Sequence, residues 1–231
     1  MYLRCKDITF SYPGSEVTVL EGISCAFTRP GFHSLFGPSG VGKSTFAKLI
    51  ADQEHYSFAG QLEMEGVERI LCSYNLERLP GWSSTGAHLE RVVSSDKLDL
   101  KKELVEVFGI EELLNQRFHE LSMGQQNRVN LIRYLLQDFD LLILDESLAN
   151  VDEKLRQSII LAVKRLFPDK MFLYISHHLM EVSTFCDEIM VFGASGERKS
   201  YSIIYGQNCS SVEEIDKEKR DKTMLEIMNA F

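Results

Sequence analysis

The fold of this chain is set by one stretch, Gly37-Pro38-Ser39-Gly40-Val41-Gly42-Lys43-Ser44-Thr45. It matches the pattern G-x-x-x-x-G-K-[ST], follows the apolar run 32–36, and precedes apolar residues at helical spacing, namely Phe46, Leu49 and Ile50. A strand, a glycine loop and a helix in this order point successive backbone N–H groups at one place, where a polyphosphate can bind. We therefore predict that loop 37–45 binds a purine nucleoside triphosphate, with Lys43 at the outer phosphates and the Ser44 hydroxyl on Mg²⁺.

Outward from this loop, strand-like and helix-like segments alternate along the chain. Strands are predicted at 2–10, 18–27, one region between 63 and 74, 141–144, 171–175 and 189–192, with an edge strand at 200–205. Helical patterns cover 85–118, the residues after Leu121, about 153–166, and a charged terminal helix at about 211–231. This alternation favours an α/β fold in which a parallel sheet is covered on both faces. Residues 1–231 are predicted to form a single domain, with a helical lobe at about 76–125.

Composition excludes several classes of function. The 25 Lys and Arg residues against 34 Asp and Glu give a net charge of −9, which disfavours general nucleic-acid binding because phosphate backbones attract positive surfaces. No run of about 18 uncharged apolar residues and no export signal is visible, so we expect neither a membrane span nor secretion. The five cysteines form no CxxC pair, which is typical of reduced thiols in the cytosol.

Two carboxylates follow the apolar run 141–144. Asp145 and Glu146 emerge together at the carboxyl end of this predicted strand, where open α/β sheets bind their ligands. Asp145 can hold Mg²⁺ through water, and Glu146 can act as the general base that polarises an attacking water. Without the glycine loop, a pair of solvated acidic residues would be an equally good interpretation.

A further segment links these motifs to a known family. Leu121-Ser122-Met123-Gly124-Gln125 resembles the LSGGQ signature of ABC-type ATPases, and it lies thirteen residues before the strand that carries Asp145. Together with loop 37–45, the pair Asp145-Glu146 and the later pair Ser176-His177, it makes residues 2–205 similar to an ABC nucleotide-binding domain. The resemblance implies a P-loop NTPase fold with a RecA-like parallel core, an N-terminal antiparallel β region and a helical lobe.

The same resemblance implies roles for individual residues. Tyr12 matches the aromatic residue that stacks on adenine, His177 the switch histidine at the γ-phosphate, and Asp152 the aspartate that links the sites of two subunits. Ser122, Gly124 and Gln125 match the segment that faces the γ-phosphate bound by the other subunit. The implied working unit is therefore a head-to-tail dimer of this chain with two ATP molecules at its interface.

Two positions depart from the family pattern. Asn75 stands where the family has a glutamine that reaches Mg²⁺ or the attacking water, and Asn is one methylene shorter. Met123 replaces a glycine of the signature, so the closed dimer must accommodate a thioether. Both changes are compatible with slow hydrolysis.

The resemblance implies work at a membrane. It predicts an ATP-hydrolysing subunit that sits in the cytoplasm against the inner face of the cell membrane, bound to transmembrane permease subunits. The element Leu79-Pro80-Gly81-Trp82 and the stretch Ser195-Gly196-Glu197-Arg198 resemble importers of nitrate, sulfonate and taurine, which also use a solute-binding protein. For Pro80 and Trp82, packing at the lobe boundary is the plain alternative. The alternatives for the whole chain are a soluble ATPase of the iron–sulfur assembly type, an exporter subunit, and a scaffold that barely hydrolyses ATP.

Overall fold

A computed structural model describes residues 1–75, 77–195 and 198–230, which form two sheets and seven α-helices within those ranges. The strands are β1 (Tyr2–Ser11), β2 (Thr18–Phe27), β3 (Gly31–Phe36), β4 (Ala59–Glu65), β5 (Ile70–Tyr74), β6 (Leu141–Asp145), β7 (Met171–Ile175), β8 (Glu188–Ser195) and β9 (Arg198–Tyr205). The helices are α1 (Lys43–Ala51), α2 (Thr85–Glu90), α3 (Leu98–Val107), α4 (Met123–Leu135), α5 (Glu153–Leu166), α6 (Leu179–Phe185) and α7 (Lys217–Met228).

The larger sheet has six strands in the order β5-β6-β7-β3-β8-β9. The first five run parallel, and among the described strands of this sheet the edge strand β9 alone is antiparallel, paired with β8. The predicted parallel core is thus confirmed. The non-sequential order is what crossover connections through helices produce, and it places every loop that follows a parallel strand at one edge of the sheet.

The two faces of this sheet carry separate cores. In β6, Leu141 and Ile143 pack with α1 and the smaller sheet, whereas Leu142 and Leu144 pack with the helices of the opposite face. All four side chains are fully buried. This period of two within an unbroken apolar run is the expected pattern of a parallel strand buried on both sides.

The smaller sheet is antiparallel, in the order β2-β1-β4, and confirms the predicted antiparallel β region. The prediction of one strand-like region between 63 and 74 was wrong. The chain forms two strands there, and they belong to different sheets: β4 pairs with β1, and β5 pairs with β6. The break falls at Gly66, whose φ of +69° ends the extended backbone after β4.

The helical lobe is confirmed, although its pattern resolves into shorter pieces. The region 85–118 contains α2, α3 and short 3₁₀ turns, and α4 runs from this lobe back to the sheet. The terminal helix is shorter than predicted and occupies Lys217–Met228. Gly196, Glu197 and Phe231, which entered the predictions above, lie outside the described residues. No helix in the described part of the chain is long and apolar enough to cross a membrane.

Candidate active site

Four parallel strands end at the same edge of the larger sheet. Their register pairs Leu35 with Ile175, Ile175 with Asp145, and Asp145 with Tyr74. The residues that follow these four strands therefore emerge side by side. They are loop 37–45 after β3, Asn75 after β5, Glu146 after β6 and His177 after β7. The structure thus brings together the predicted phosphate loop, the predicted base and the predicted switch histidine.

Loop 37–45 depends on its glycines for reasons of space as well as conformation. Gly37 has a φ of +150°, and a Cβ there would lie 2.5 Å from the carbonyl oxygen of Phe192. Gly42, with a φ of +110°, would place a Cβ 2.7 Å from Leu20. No other residue fits either position without a shift of its surroundings. The two glycines hold the loop against β8 and β2 and leave Gly40 on its open side, where an added Cβ would meet no atom of the described residues within 4 Å beyond its chain neighbours.

Lys43 is buried and bonded within the loop. Its ammonium donates to the carbonyl oxygens of Gly37 at 2.8 Å and Pro38 at 2.7 Å. Burial lowers the pKa of Lys43, and the negative charges of Glu146 and Asp145 act against that shift. The amine is thus fixed at the centre of the loop, beside two carboxylates that it partly neutralises.

A cavity of about 310 Å³ opens beside the loop. It lies between Tyr12 and Val19 on one side and Gly40, Gly42 and the run 43–45 on the other. The Tyr12 hydroxyl lies 3.1 Å from the Thr45 hydroxyl, and its ring meets Phe10 edge-on. Tyr12 is therefore held next to the phosphate loop with 39% of its surface exposed, as a stacking platform requires. Val19 also lines this cavity, and as an ordinary apolar strand residue it carries no sequence signal for that position.

Not every residue of the loop has its side chain in the cavity. Val41 is buried among apolar side chains of the smaller-sheet core, so only its backbone can face a ligand. Pro38 and Ser39 are exposed. The structure places both on the outside of the loop, and none of the three lines the cavity that Tyr12 and Val19 border.

Asp145 and Ser44 supply oxygen atoms at the floor of the site. The Asp145 carboxylate is hydrogen-bonded to Ser44, and burial raises the pKa of Asp145 above its ordinary value. Oxygen donors of this kind suit Mg²⁺, which commonly takes one or two protein ligands and completes its shell with phosphate and water. No group of three or more His, Cys, Asp or Glu in the described ranges could hold a metal on its own. The residues present fit a metal that arrives with a phosphate ligand.

Glu146 and His177 lie within hydrogen-bond distance of each other at this edge. His177 Nε2 lies 2.7 Å from Glu146 Oε1, and each side chain is less than half exposed to solvent, with 46% and 40% accessible. Glu146 has a left-handed φ of +53°, which is unusual outside glycine, asparagine and aspartate. Its amide donates to the carbonyl of Ile175 at 3.1 Å. The backbone is thus turned at the point where the carboxylate leaves the strand.

The segment 122–125 lies at the start of α4. Ser122 Oγ accepts from the Gln125 amide at 3.4 Å, and Gln125 Oε1 accepts from the Ser122 amide at 2.8 Å, so the two residues form a capping box. A Cβ at Gly124 would lie 2.1 Å from the carbonyl oxygen of Asn150. Gly124 is therefore required for packing against the loop 146–152. The bonds described for Ser122 and Gln125 lie within this helix start and do not reach loop 37–45.

Asp152 caps the next helix. Its Oδ1 accepts from the amides of Lys154 at 3.0 Å and Leu155 at 3.3 Å, at the first turn of α5. The side chain is thus engaged with its own helix. Its predicted role in linking two subunits remains a prediction.

Asn75 is bonded to a residue that sequence reasoning missed. Its Oδ1 accepts from Asn127 Nδ2 at 3.0 Å, and its amide donates to the Asp145 carbonyl at 3.0 Å. Asn127 lies in α4, is 2% exposed, and also donates to the Ala149 carbonyl at 2.9 Å. The only sequence signal was a pair of asparagines, 127 and 130, at helical spacing within an otherwise amphipathic helix.

The element 79–82 is only partly a packing element. Trp82 is 76% exposed, so the interpretation that it packs at the lobe boundary is wrong for this residue. The Pro80 carbonyl lies 2.9 Å from Nε2 of the buried His88, which anchors the element to α2.

With this geometry established, comparison with known proteins identifies the family. A model of the ABC transporter family matches residues 20–149, which is more than half of the chain. The chain belongs to the ABC transporter family. It is an ABC-type ATPase domain, and the matched region contains the phosphate loop, the segment 121–125 and the carboxylates Asp145 and Glu146.

The ABC domain has relatives in both directions of transport. It is 29% identical over 205 residues to the sn-glycerol-3-phosphate import ATP-binding protein UgpC of Chromobacterium violaceum, covering 82% of this chain and 55% of that protein. It is 31% identical to the spermidine/putrescine import ATP-binding protein PotA of Ruegeria pomeroyi, with 81% and 56% covered. It is also 31% identical to an ATP-dependent lipid A-core flippase of Vibrio parahaemolyticus, with 88% and 39% covered. The chain thus spans about half the length of its importer relatives.

A solved structure shares the fold of the ABC domain. The structure of a bacterial Atm1-family ABC exporter with ATP bound superposes with a TM-score of 0.72 over 82% of this chain and 37% of that one, at 19% identity. At this identity the similarity establishes the fold alone.

Proposed function

We propose that this chain binds ATP at loop 37–45 and hydrolyses it with Glu146 as the general base. Lys43 and the loop amides hold the phosphates, and Tyr12 stacks on adenine across the 310 Å³ cavity. The observation that carries the proposal is the 2.7 Å contact between Glu146 and His177 at the same sheet edge as the loop. In this role His177 holds the Glu146 carboxylate in place and contacts the γ-phosphate, while Glu146 accepts the proton of the attacking water.

A bound Mg²⁺ would neutralise charge that develops on the phosphates during transfer. Ser44, Asp145 and Asn75 are the side chains proposed to hold it. Asp145 is suited to that role because its partly buried carboxylate, whose pKa is raised by burial, is stabilised by a nearby cation. Asn75 has the shortest reach of the three, and its oxygen is already bonded to Asn127.

The proposed working unit is a head-to-tail dimer of this chain. Ser122, Gly124 and Gln125 lie at the start of α4, where the partial positive charge of a helix N-terminus suits a phosphate. In the dimer they would face the nucleotide of the second copy, with Asp152 near the subunit boundary. ATP binding closes such a dimer, and hydrolysis reopens it.

The work done by this cycle is proposed to be transport. The chain would act in the cytoplasm, on the inner face of the membrane, bound to transmembrane permease subunits. Residues 1–231 would serve as one domain, with a helical lobe at about 76–125. Within the family we favour an importer of a small organic solute or oxyanion, of the nitrate, sulfonate and taurine type. The reason is the resemblance of the element 79–82, whose Trp82 is exposed.

An exporter subunit is the second candidate. The specific observation in its favour is the lipid A-core flippase of Vibrio parahaemolyticus, which matches 88% of this chain at 31% identity. Reconstitution with the copurified membrane subunits separates the two candidates. An importer is expected to be stimulated by a solute-binding protein from a neighbouring gene, whereas an exporter is expected to be stimulated by its substrate alone.

Hydrolysis is tested with Glu146→Gln. We expect the variant to bind ATP and Mg²⁺ as the wild type does and to lose activity by about 10²- to 10⁴-fold, the usual contribution of a positioned general base. Phosphate release measures activity, and a fluorescent ATP analogue measures binding. Lys43→Ala is the companion variant and is expected to lose binding itself. Equal, negligible rates for wild type and Glu146→Gln would instead identify a nucleotide-binding scaffold.

A further inference from the structure

The side chain of Asn127 joins three parts of the site. Its amino group has two hydrogens, one bonded to Asn75 Oδ1 at 3.0 Å and the other to the Ala149 carbonyl at 2.9 Å. Asn75 follows β5, Ala149 lies in the loop that begins with Glu146, and Asn127 itself belongs to α4. Both donors of a buried amide are thus spent on two separate loops.

A second contact fixes the same helix to the same loop. Gly124, three residues before Asn127, approaches the Asn150 carbonyl so closely that a Cβ would lie 2.1 Å away. Helix α4 therefore touches the loop 146–152 at consecutive residues, Ala149 and Asn150. A shift of either the helix start or the loop must alter the bond of Asn127 to the other, because packed segments cannot deform continuously.

We propose that Asn127 is a positioning residue for ATP hydrolysis, which orients the Asn75 amide and couples the site on its own chain to the segment 122–125 that faces a second copy. This inference rests on the proposed function. In the proposed dimer, Asn75 and Glu146 act on the nucleotide bound by their own chain, whereas Ser122 and Gly124 contact the nucleotide bound by the second copy. Asn127 lies between the two sets and is bonded to the first through Asn75 and the loop of Glu146.

The hydrogen bond from Asn127 also compensates for the shorter side chain at position 75. A shorter amide has less reach, so its direction must be fixed if its oxygen is to serve a metal or a water. Asn127 occupies one lone pair of Asn75 Oδ1 and leaves the second free. A partner that orients a metal ligand in this way typically changes metal affinity or activity by 10- to 100-fold when removed.

Helix α4 provides a matched control. Asn130 is another asparagine one turn further along, 1% exposed, and it also donates to a loop, at 2.8 Å to the Glu77 carbonyl. Its donor bond goes neither to Asn75 nor to the loop 146–152. Asn130→Ala therefore removes a buried amide that anchors α4, but it keeps the bonds of Asn127 to Asn75 and Ala149.

The experiment compares Asn127→Ala, Asn127→Gln and Asn130→Ala in the full chain. Three quantities are measured: ATP turnover, affinity for a fluorescent ATP analogue without metal, and the affinity of Mn²⁺ for the ATP-bound chain by electron paramagnetic resonance. For Asn127→Ala we expect turnover and Mn²⁺ affinity to fall by about 10-fold or more, with metal-free nucleotide affinity unchanged. Asn127→Gln, which keeps the amide, should recover part of both losses. Asn130→Ala should keep both at wild-type values.

Two results would overturn the proposal. One is an equal loss for Asn127→Ala and Asn130→Ala, which would reduce both residues to anchors of the helix. The other is wild-type Mn²⁺ affinity and turnover in Asn127→Ala. If that variant fails to fold, Asn127→Leu, which keeps the size of the side chain but has no donor, is combined with Asn75→Ala and the double variant, and additive losses in that cycle would count against coupling through the Asn127–Asn75 bond.

The proposed function can fail separately from this inference. A wild-type chain that binds ATP and Mn²⁺ but hydrolyses nothing would overturn hydrolysis, and the Mn²⁺ affinities alone would then decide the role of Asn127. A wild-type chain that binds neither would overturn both.

Discussion

Two loops at the same sheet edge reach left-handed backbone in different ways. Loop 37–45 does so with Gly37, Gly40 and Gly42, for which positive φ carries no steric cost. The loop 146–152 does so with Glu146 and Asn150, at φ values of +53° and +62°. Asparagine tolerates this conformation, but a glutamate in it is strained, and the strain at Glu146 persists only where the surroundings hold it.

The surroundings of the second loop supply that support. The Ser147 hydroxyl donates to the Ser73 carbonyl at 2.7 Å, Asn127 donates to Ala149, and Arg156 donates to the Val151 carbonyl at 2.8 Å. Three different elements thus hold consecutive parts of one short loop. The conformation of loop 37–45 is therefore set by its own glycines, whereas that of the loop 146–152, which begins with the proposed base, is set by tertiary contacts.

The largest effect is expected from a substitution at Gly124, where α4 packs against the loop 146–152. Gly124→Ala puts a Cβ 2.1 Å from the Asn150 carbonyl, so α4 or the loop 146–152 must move. We expect a loss of about 1–3 kcal/mol in the free energy of unfolding, as for overpacked cores, and a fall in ATP turnover of about 10-fold or more. Denaturant unfolding and phosphate release measure the two effects.

Gly86→Ala is the matched control for this change. Gly86 is also a helical glycine, in α2, and its Cβ would lie 3.1 Å from the Leu114 carbonyl. At Gly86 the cost of this mildly close contact and the gain in helix propensity of about 1 kcal/mol should nearly cancel in the free energy of unfolding. A Gly124→Ala variant as stable and active as Gly86→Ala would show that the loop does not depend on α4.

A smaller effect is expected when the charge at the floor of the site is removed. Burial raises the pKa of Asp145, so the folded chain holds this proton more tightly than the unfolded chain does. Stability therefore falls as the pH rises through the interval between the unfolded and folded pKa, and it stays lower at neutral pH. Asp145→Asn should unfold at a higher temperature than wild type at pH 7 and lose Mg²⁺-dependent activity.

Asp99 is the control for this prediction, because its pKa is shifted in the opposite direction. The exposed Asp99 is hydrogen-bonded to Lys102, which lowers the pKa of Asp99, so Asp99→Asn should gain no stability at pH 7. The advantage of Asp145→Asn should shrink as the pH is lowered, because the wild-type carboxyl then takes up its proton. An advantage that stays constant with pH would mean that charge burial is not its cause.

The smallest effect is expected at Met123. This side chain is 48% exposed at the first position of α4, on the end of the helix that would face a second copy. Met123→Gly should raise steady-state turnover by about twofold, equivalent to ~0.4 kcal/mol, because a closed dimer could then approach more closely. It should lower stability by at most about 1 kcal/mol through helix propensity. The assay includes the membrane subunits, with Met180→Gly as the control for loss of an exposed methionine, and unchanged turnover would discard the idea.

Residue types and spacing predicted the phosphate loop, the core strands and α5 well. The β6 run 141–144 is unbrokenly apolar because both of its faces are buried, and α5 occupies the predicted 153–166 because Asp152 begins it and Phe167 ends it. The region 63–74 was predicted poorly. Two short strands that belong to different sheets look alike in a local pattern, and only pairing partners separate them.

Residue types and their order were enough to predict a strand, a glycine loop and a helix fit for phosphates, with two carboxylates after a buried strand. Those features follow from local rules, since glycine alone tolerates the loop and only a run of apolar residues satisfies a strand covered on both sides. Tertiary structure alone decided that His177 meets Glu146, that Gly124 packs on Asn150, and that Asn127 joins Asn75 to Ala149. Each of these contacts joins residues that are far apart in the chain, and no local pattern encodes which distant partner a residue will find.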